Sequence, residues 1–147
     1  MKAMPQISDA ELEVMKILWE TGDATSTQII ERLSETSDWK PKTIHTLIAR
    51  LVEKKVIDAK KTDGRSYLYS ANVAEEDYKS YASKSFLKQL FNGSINLMVA
   101  NYVKEQKLTK TEIDELKKLL DSMKPGEVKS AEISGAHLVV MKNDISA

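Results

Sequence analysis

Cysteine is absent from the chain, which excludes disulfides, thiolate metal sites and a cysteine nucleophile. No apolar run approaches the roughly 18–20 residues that span a bilayer. The opening stretch MKAMPQISDAE lacks the apolar core of a secretory signal. Membrane insertion is therefore not expected, and a cytoplasmic location is. Catalytic signatures are missing too: there is no Gly-rich phosphate loop, HExxH or GxSxG. The two histidines, His45 and His137, are far apart in sequence. The acidic run Glu75-Glu76-Asp77 reads as a helix N-terminus complementing the dipole. An enzyme is thus the weakest of the available classes, and neither a cofactor nor a metal site is expected.

Net charge is also lacking, since 22 basic side chains face 22 acidic ones. A neutral total argues against nucleic acid, but its distribution argues the other way. Residues 1–39 hold three basic and eight acidic side chains. Residues 40–65 hold eight basic against three acidic, a net of +5. A basic window inside a neutral chain is the electrostatic footprint of a phosphate-binding surface, although charge runs are also ordinary solvated faces.

What is present suits a folded core. The chain has 147 residues, 41% of them hydrophobic and 30% charged, enough for one domain or one domain with an appendage. Ser8-Asp9-Ala10-Glu11 is a capping box. Leu12, Met15, Leu18 and Trp19 then fall at helical spacing, to about Glu20. Thr21-Gly22-Asp23 stops this helix, and Ala24-Thr25 is a short extended link. A second helix opens at Thr25 or Ser26 and carries Ile29, Ile30 and Leu33 to about Glu35. Pro41 suits the first position of a third helix, where its missing N–H costs nothing. Ile44, Leu47, Ile48 and Leu51 give that helix one clean apolar face.

The period then changes. Residues 56–61 and 66–70 are strand-like, and Thr62-Asp63-Gly64-Arg65 between them contains the Asp-Gly turn signal. Helices followed by a β-hairpin are the order of a winged helix. Three more helices are predicted, over 75–92, 94–105 and from the Thr109–Glu112 capping box to a stop at Pro125-Gly126. Residues 125–147 fit a small hairpin or a loose tail. The expected fold is mainly α with a small β-hairpin. Residues 1–73 form a winged helix-turn-helix DNA-binding domain, 74–124 a helical dimerisation region and 125–147 a tail.

In a helix-turn-helix the third helix packs with one face and enters the major groove with the other. Lys42, Thr43, His45, Thr46, Ala49 and Arg50 lie off the packing face. Thr43, Thr46 and Arg50 share a stripe by their spacing. Arg50 can make a bidentate contact to guanine, and threonine methyls can touch thymine. Lys42 suits phosphate, which positions without specifying. Lys60, Lys61 and Arg65 lie on or beside the hairpin turn, within reach of phosphate or the minor groove. Tyr67 and Tyr69 share a strand face and read as hairpin packing. The rival to DNA binding is a winged-helix protein-interaction module, because that fold is reused for protein contacts.

Three stretches together carry a family resemblance: 7–19 (ISDAELEVMKILW), 42–55 (KTIHTLIARLVEKK) and 64–70 (GRSYLYS). Over about residues 5–123 the chain resembles the penicillinase repressor family. The resemblance implies a homodimer that binds palindromic double-stranded operator DNA and represses transcription. Lys42, Thr43, Thr46 and Arg50 match the family's recognition-helix pattern. Position 45, often Arg or Gln there, is His45 here, so operator preference is expected to differ. In the best-known members, which control β-lactam resistance genes, a membrane-bound sensor protease answers antibiotic by triggering cleavage of a bond that follows Asn and precedes Phe. Asn101-Tyr102 stands at that place with Tyr for Phe; the alternative is that Tyr102 is a dimer-core aromatic. The copper-responsive branch carries a cysteine cluster that this chain lacks.

Dimerisation also follows from burial. A winged helix of about 65 residues presents a single half-site. The apolar positions beyond it exceed what three thin helices can cover among themselves. They are Leu87, Leu90 and Phe91, then Met98, Val99 and Tyr102, then Ile113, Leu116 and Leu120. Pairing with a second copy would bury them.

Overall fold

A computed structural model describes residues 4–123. The expected tail at 125–147, with His137, lies outside the described residues. The chain divides into two compact units, Met1–Gly93 and Ser94–Ala147.

The first unit begins with α1 (Asp9–Thr21), capped as expected. The Glu11 N–H donates to Ser8 Oγ at 3.1 Å and the Ser8 N–H to Glu11 Oε1 at 2.9 Å. After Gly22, whose φ of +84° favours glycine, come strand β1 (Ala24–Thr25) and α2 (Ser26–Ser34). Thr25 and Gln28 close a second capping box there. Helix α3 spans Pro41–Glu53, with proline in its first turn and Ile44, Leu47, Ile48 and Leu51 buried. Strands β2 (Ile57–Lys61) and β3 (Tyr67–Ala71) follow, then α4 (Glu75–Phe91).

Two features differ from the sequence reading. The Ala24-Thr25 link is a strand, so the hairpin belongs to a three-stranded antiparallel sheet in the order β1-β3-β2. The pairing Ala24 with Tyr69 and Thr25 with Leu68 ties the wing to the helix-turn-helix. The Asp63-Gly64 pair lies in the connection between the strands as expected, here running from Thr62 to Ser66, but in a different conformation. Gly64 is not among the positive-φ glycines, as a type I′ turn would require. Thr62 closes this loop instead, its Oγ1 donating to the Ser66 carbonyl at 2.8 Å and accepting from the Gly64 N–H at 3.3 Å.

One core holds this unit together. It joins Val14, Met15 and Leu18 of α1 to Ile29 and Leu33 of α2, the apolar face of α3, and Val56 and Ile57. Trp19 and Tyr78 pack beside it with ring centroids 5.9 Å apart, and the Trp19 indole N–H donates to the Val73 carbonyl at 2.9 Å. The start of α4 is thereby fastened to α1. Helix α4 ends with Asn92 in the left-handed region, φ 50°, and the Gly93 N–H returns to the Leu87 carbonyl. Asn92 takes the cap itself, as asparagine tolerates.

The described part of the second unit contains α5 (Ile95–Glu105), capped by Ser94, and α6 (Lys110–Asp121), with the expected Thr109–Glu112 box. Helix α6 ends before Pro125-Gly126. Neither helix buries a residue, and nor does α4.

Candidate nucleic-acid interface

Helix α3 separates its two jobs cleanly. Its buried face fixes its roll against α1 and α2. Lys42, Thr43, His45, Thr46, Ala49 and Arg50 are all exposed. Among the described residues, Lys42 and Arg50 enter no ion pair, so both charges are available to a ligand. The Thr46 hydroxyl donates to the Lys42 carbonyl at 3.0 Å. Its proton is committed to the helix, which leaves its methyl and its acceptor lone pairs for an incoming group.

The sheet register divides the basic residues of the wing. Lys61 stands opposite Tyr67, Ala59 opposite Tyr69, and Ile57 opposite Ala71. Directly opposed residues share a sheet face, so Lys61, Tyr67 and Tyr69 lie on one face. Lys60 pairs with Leu68 and lies on the other. Arg65 is exposed in the Thr62–Ser66 connection. The lysines that the sequence brackets together thus diverge.

The face carrying Tyr67 and Tyr69 turns toward α3. Between them runs a groove of ~380 Å³. His45, Ala49 and Val52 border it from the helix, with Ile48 beneath, and Ala59, Tyr67 and Tyr69 from the sheet. The two tyrosine rings are 6.4 Å apart, centroid to centroid. Tyr69 is half-buried against the core, whereas Tyr67 remains 46% exposed. Tyr67 was legible as a wing residue, but its approach to His45 depends on helix and sheet meeting in space.

One member of the basic window is spent internally. Lys54 Nζ lies 2.6 Å from Glu11 Oε1 and donates to the Gln6 carbonyl at 2.9 Å. Glu11 is 2% exposed. Burial alone would push its carboxyl up, but the Lys54 ammonium and the Ser8 N–H and hydroxyl outweigh this and hold it below the usual carboxylate range. Lys54 therefore anchors the C-terminal end of α3 to α1 rather than facing a ligand.

The remaining sequence-predicted positions lie outside this surface. Leu87, Leu90 and Phe91 are on α4; Met98, Val99 and Tyr102 on α5; Ile113, Leu116 and Leu120 on α6. Leu90, Tyr102, Ile113 and Leu120 are exposed and the others are partly covered. Asn101 and Tyr102 are consecutive exposed residues within α5. Among the described residues no helix is long and apolar enough to cross a membrane, and no group of acidic or histidine side chains could hold a metal ion.

Comparison with known proteins places this sequence in a family. The family model described as penicillinase repressor matches residues 7–122. The penicillinase repressor of Bacillus licheniformis is 44% identical over 124 residues, 84% of this chain and 96% of that protein. The methicillin resistance regulatory protein MecI of Staphylococcus aureus (strain N315) is 42% identical over 116 residues, 79% of this chain and 94% of that one. The solution structure of the DNA-binding domain of the repressor BlaI superposes with a TM-score of 0.47 at 47% identity. It covers 53% of this chain and 94% of that one. The chain belongs to the penicillinase repressor family, a family of repressors rather than enzymes.

Proposed function

We propose that this protein is a transcriptional repressor that binds palindromic double-stranded operator DNA as a homodimer. One observation carries the reading: an exposed face with Lys42, Thr43, Thr46 and Arg50, its two cations in no ion pair among the described residues, lies on a helix whose other face is buried, beside a basic wing. Lys42 holds phosphate at the start of the helix, Arg50 reads a base edge, and Thr43 and Thr46 meet bases or backbone between them. Lys60, Lys61 and Arg65 extend the contact to the flanking backbone. His45, at the groove edge of the same helix, is where operator preference diverges from that of relatives.

Residues 74–124 are the dimerisation region in this reading. Its support is that α4, α5 and α6 bury no residue within a single chain, while Leu90 is 65% and Leu120 61% exposed. A two-fold pair sets two recognition helices about one turn of DNA apart, or a multiple of it.

Release of repression proceeds by proteolysis at Asn101–Tyr102, initiated by a membrane-bound sensor protease. The bond lies inside a helix and must unwind to enter a protease cleft. Within a single chain α5 buries no side chain, so it opens at low cost once the pair separates there. Mass spectrometry of the protein from cells expressing the sensor, before and after antibiotic, tests this: fragments ending at Asn101 are expected, and an intact chain throughout refutes it.

The primary test is binding to duplexes selected from genomic fragments, compared with random duplex across salt concentrations. Affinity is expected to fall steeply with salt on both. Arg50→Ala should reduce the preference for selected over random sites by about 1–3 kcal/mol. Equal losses on both duplexes would remove its base-reading role. Absence of any duplex binding at low salt would return the fold to a protein-interaction module.

A further inference from the structure

We infer that the groove between α3 and the wing seats one sugar-phosphate strand of the duplex, and that Tyr67 donates a hydrogen bond to a phosphate there. The inference rests on the repressor reading and adds a contact that helix and wing make jointly.

The shape and chemistry of the groove select this occupant. Its lining is largely apolar, with Ile48, Ala49, Val52 and Ala59, a surface that suits deoxyribose carbons. Its rim is polar, with the His45 imidazole on the helix side and the Tyr67 phenol on the sheet side. The register puts Lys61 on the same sheet face as Tyr67, directly opposite it. A phenol and an imidazole on an apolar lining, with a lysine opposite the phenol on the same sheet face, complement a chain of anionic groups joined by sugars. Five of its seven lining residues fall within the +5 window of residues 40–65, and it lies between the two elements that approach DNA.

The position of Tyr67 is rigid enough for such a contact. Strand β3 is the central strand, paired with β1 on one side and β2 on the other. The neighbouring Tyr69, packed against the core, backs the Tyr67 ring. Tyr67 has no hydrogen bond among the described residues that would account for its hydroxyl, and it stays 46% exposed. A phenol held this way donates to a charged acceptor without first leaving an internal partner.

The test uses the full chain, a duplex selected from genomic fragments and a random duplex of equal length. Tyr67→Phe is expected to weaken both about tenfold, with the salt slope unchanged because no charge is lost. Lys61→Ala is expected to weaken both and to lower the slope by about one. Unchanged affinity of Tyr67→Phe overturns the inference. So does a loss confined to the selected duplex, which would mark base reading. Independently of any loss of folding in the variants, 3-fluorotyrosine placed at position 67 of the otherwise native chain reports the contact by fluorine NMR. Its resonance should shift on adding random duplex, and an unmoved resonance in a saturated complex overturns the inference. Wild-type protein that binds neither duplex overturns the repressor reading itself, whereas a binding wild type with an indifferent Tyr67 overturns only this seat.

Discussion

Charge is decided residue by residue. Lys54 and Lys55 are adjacent in the basic window, yet Lys54 is bonded to Glu11 and Gln6 while Lys55 carries a positive φ of 65°. The window's net charge therefore overstates what faces a ligand. The Glu11–Lys54 pair is stabilising only while Glu11 is ionised. Its folded-state pKa lies below the ordinary value of 4.5. The contribution is thus complete above that value and lost as pH falls through the lower folded one. Denaturant midpoints measured from pH 6 to 3 should decline below about pH 4.5, and Glu11→Gln should flatten part of that decline. Lys54→Met should cost about 1–3 kcal/mol by leaving a buried carboxylate without its cation. A pH profile unaltered by Glu11→Gln would assign the acid sensitivity to other carboxylates. None of this pairing was visible in sequence, because 43 residues separate the partners and only the fold brings them together.

At the scale of elements, capping chemistry was the most legible feature. Ser8–Glu11 and Thr109–Glu112 announced two helix starts because the capping hydrogen bonds join residues three apart. The helix ends were harder. Lys55 closes α3 in the left-handed region, with the Val56 N–H reaching back to the Leu51 carbonyl and Lys55 N–H to Val52. This is a Schellman arrangement built without glycine. Lys55→Gly is expected to raise stability by about 0.5–1 kcal/mol by removing the Cβ penalty; a lower thermal midpoint would show that the lysine side chain contributes more than its backbone costs. Strand β1 escaped the sequence reading for another reason. Two residues are too short to show a period of two, and their strand character comes from pairing with Tyr69 and Leu68, more than 40 positions away. The Asp-Gly pair misled in the opposite sense, since the Thr62 side chain, not glycine, organises the wing's turn. The exposed face of α3 was legible because a helix that packs with one face must present the other. That His45 and Tyr67 border one groove was not.

For the whole molecule, the contrast is between a first unit with its own core and the helices α5 and α6, which bury no residue among the described ones. All the buried apolar side chains among the described residues fall between Ile7 and Ile57. Leu116→Asp, on partly covered α6, should dissociate the proposed dimer, since pairing would bury an unpaired charge. Sedimentation equilibrium is expected to show monomer, and an undisturbed dimer would move the interface away from α6. The same variant should retain weak binding to a single half-site, because the first unit's core does not involve Leu116.

The bare apolar faces of α4 to α6 have a consequence for response in the cell. If a second copy supplies their cover, each chain's order there depends on how many others surround it. Occupancy of a paired site then rises with roughly the square of free chain concentration while dimers are scarce. A modest fall in supply, through slower synthesis or removal of a fraction of chains, would therefore empty the promoter disproportionately. Such a system acts as a threshold device, with its sharpness built into surfaces that never touch DNA.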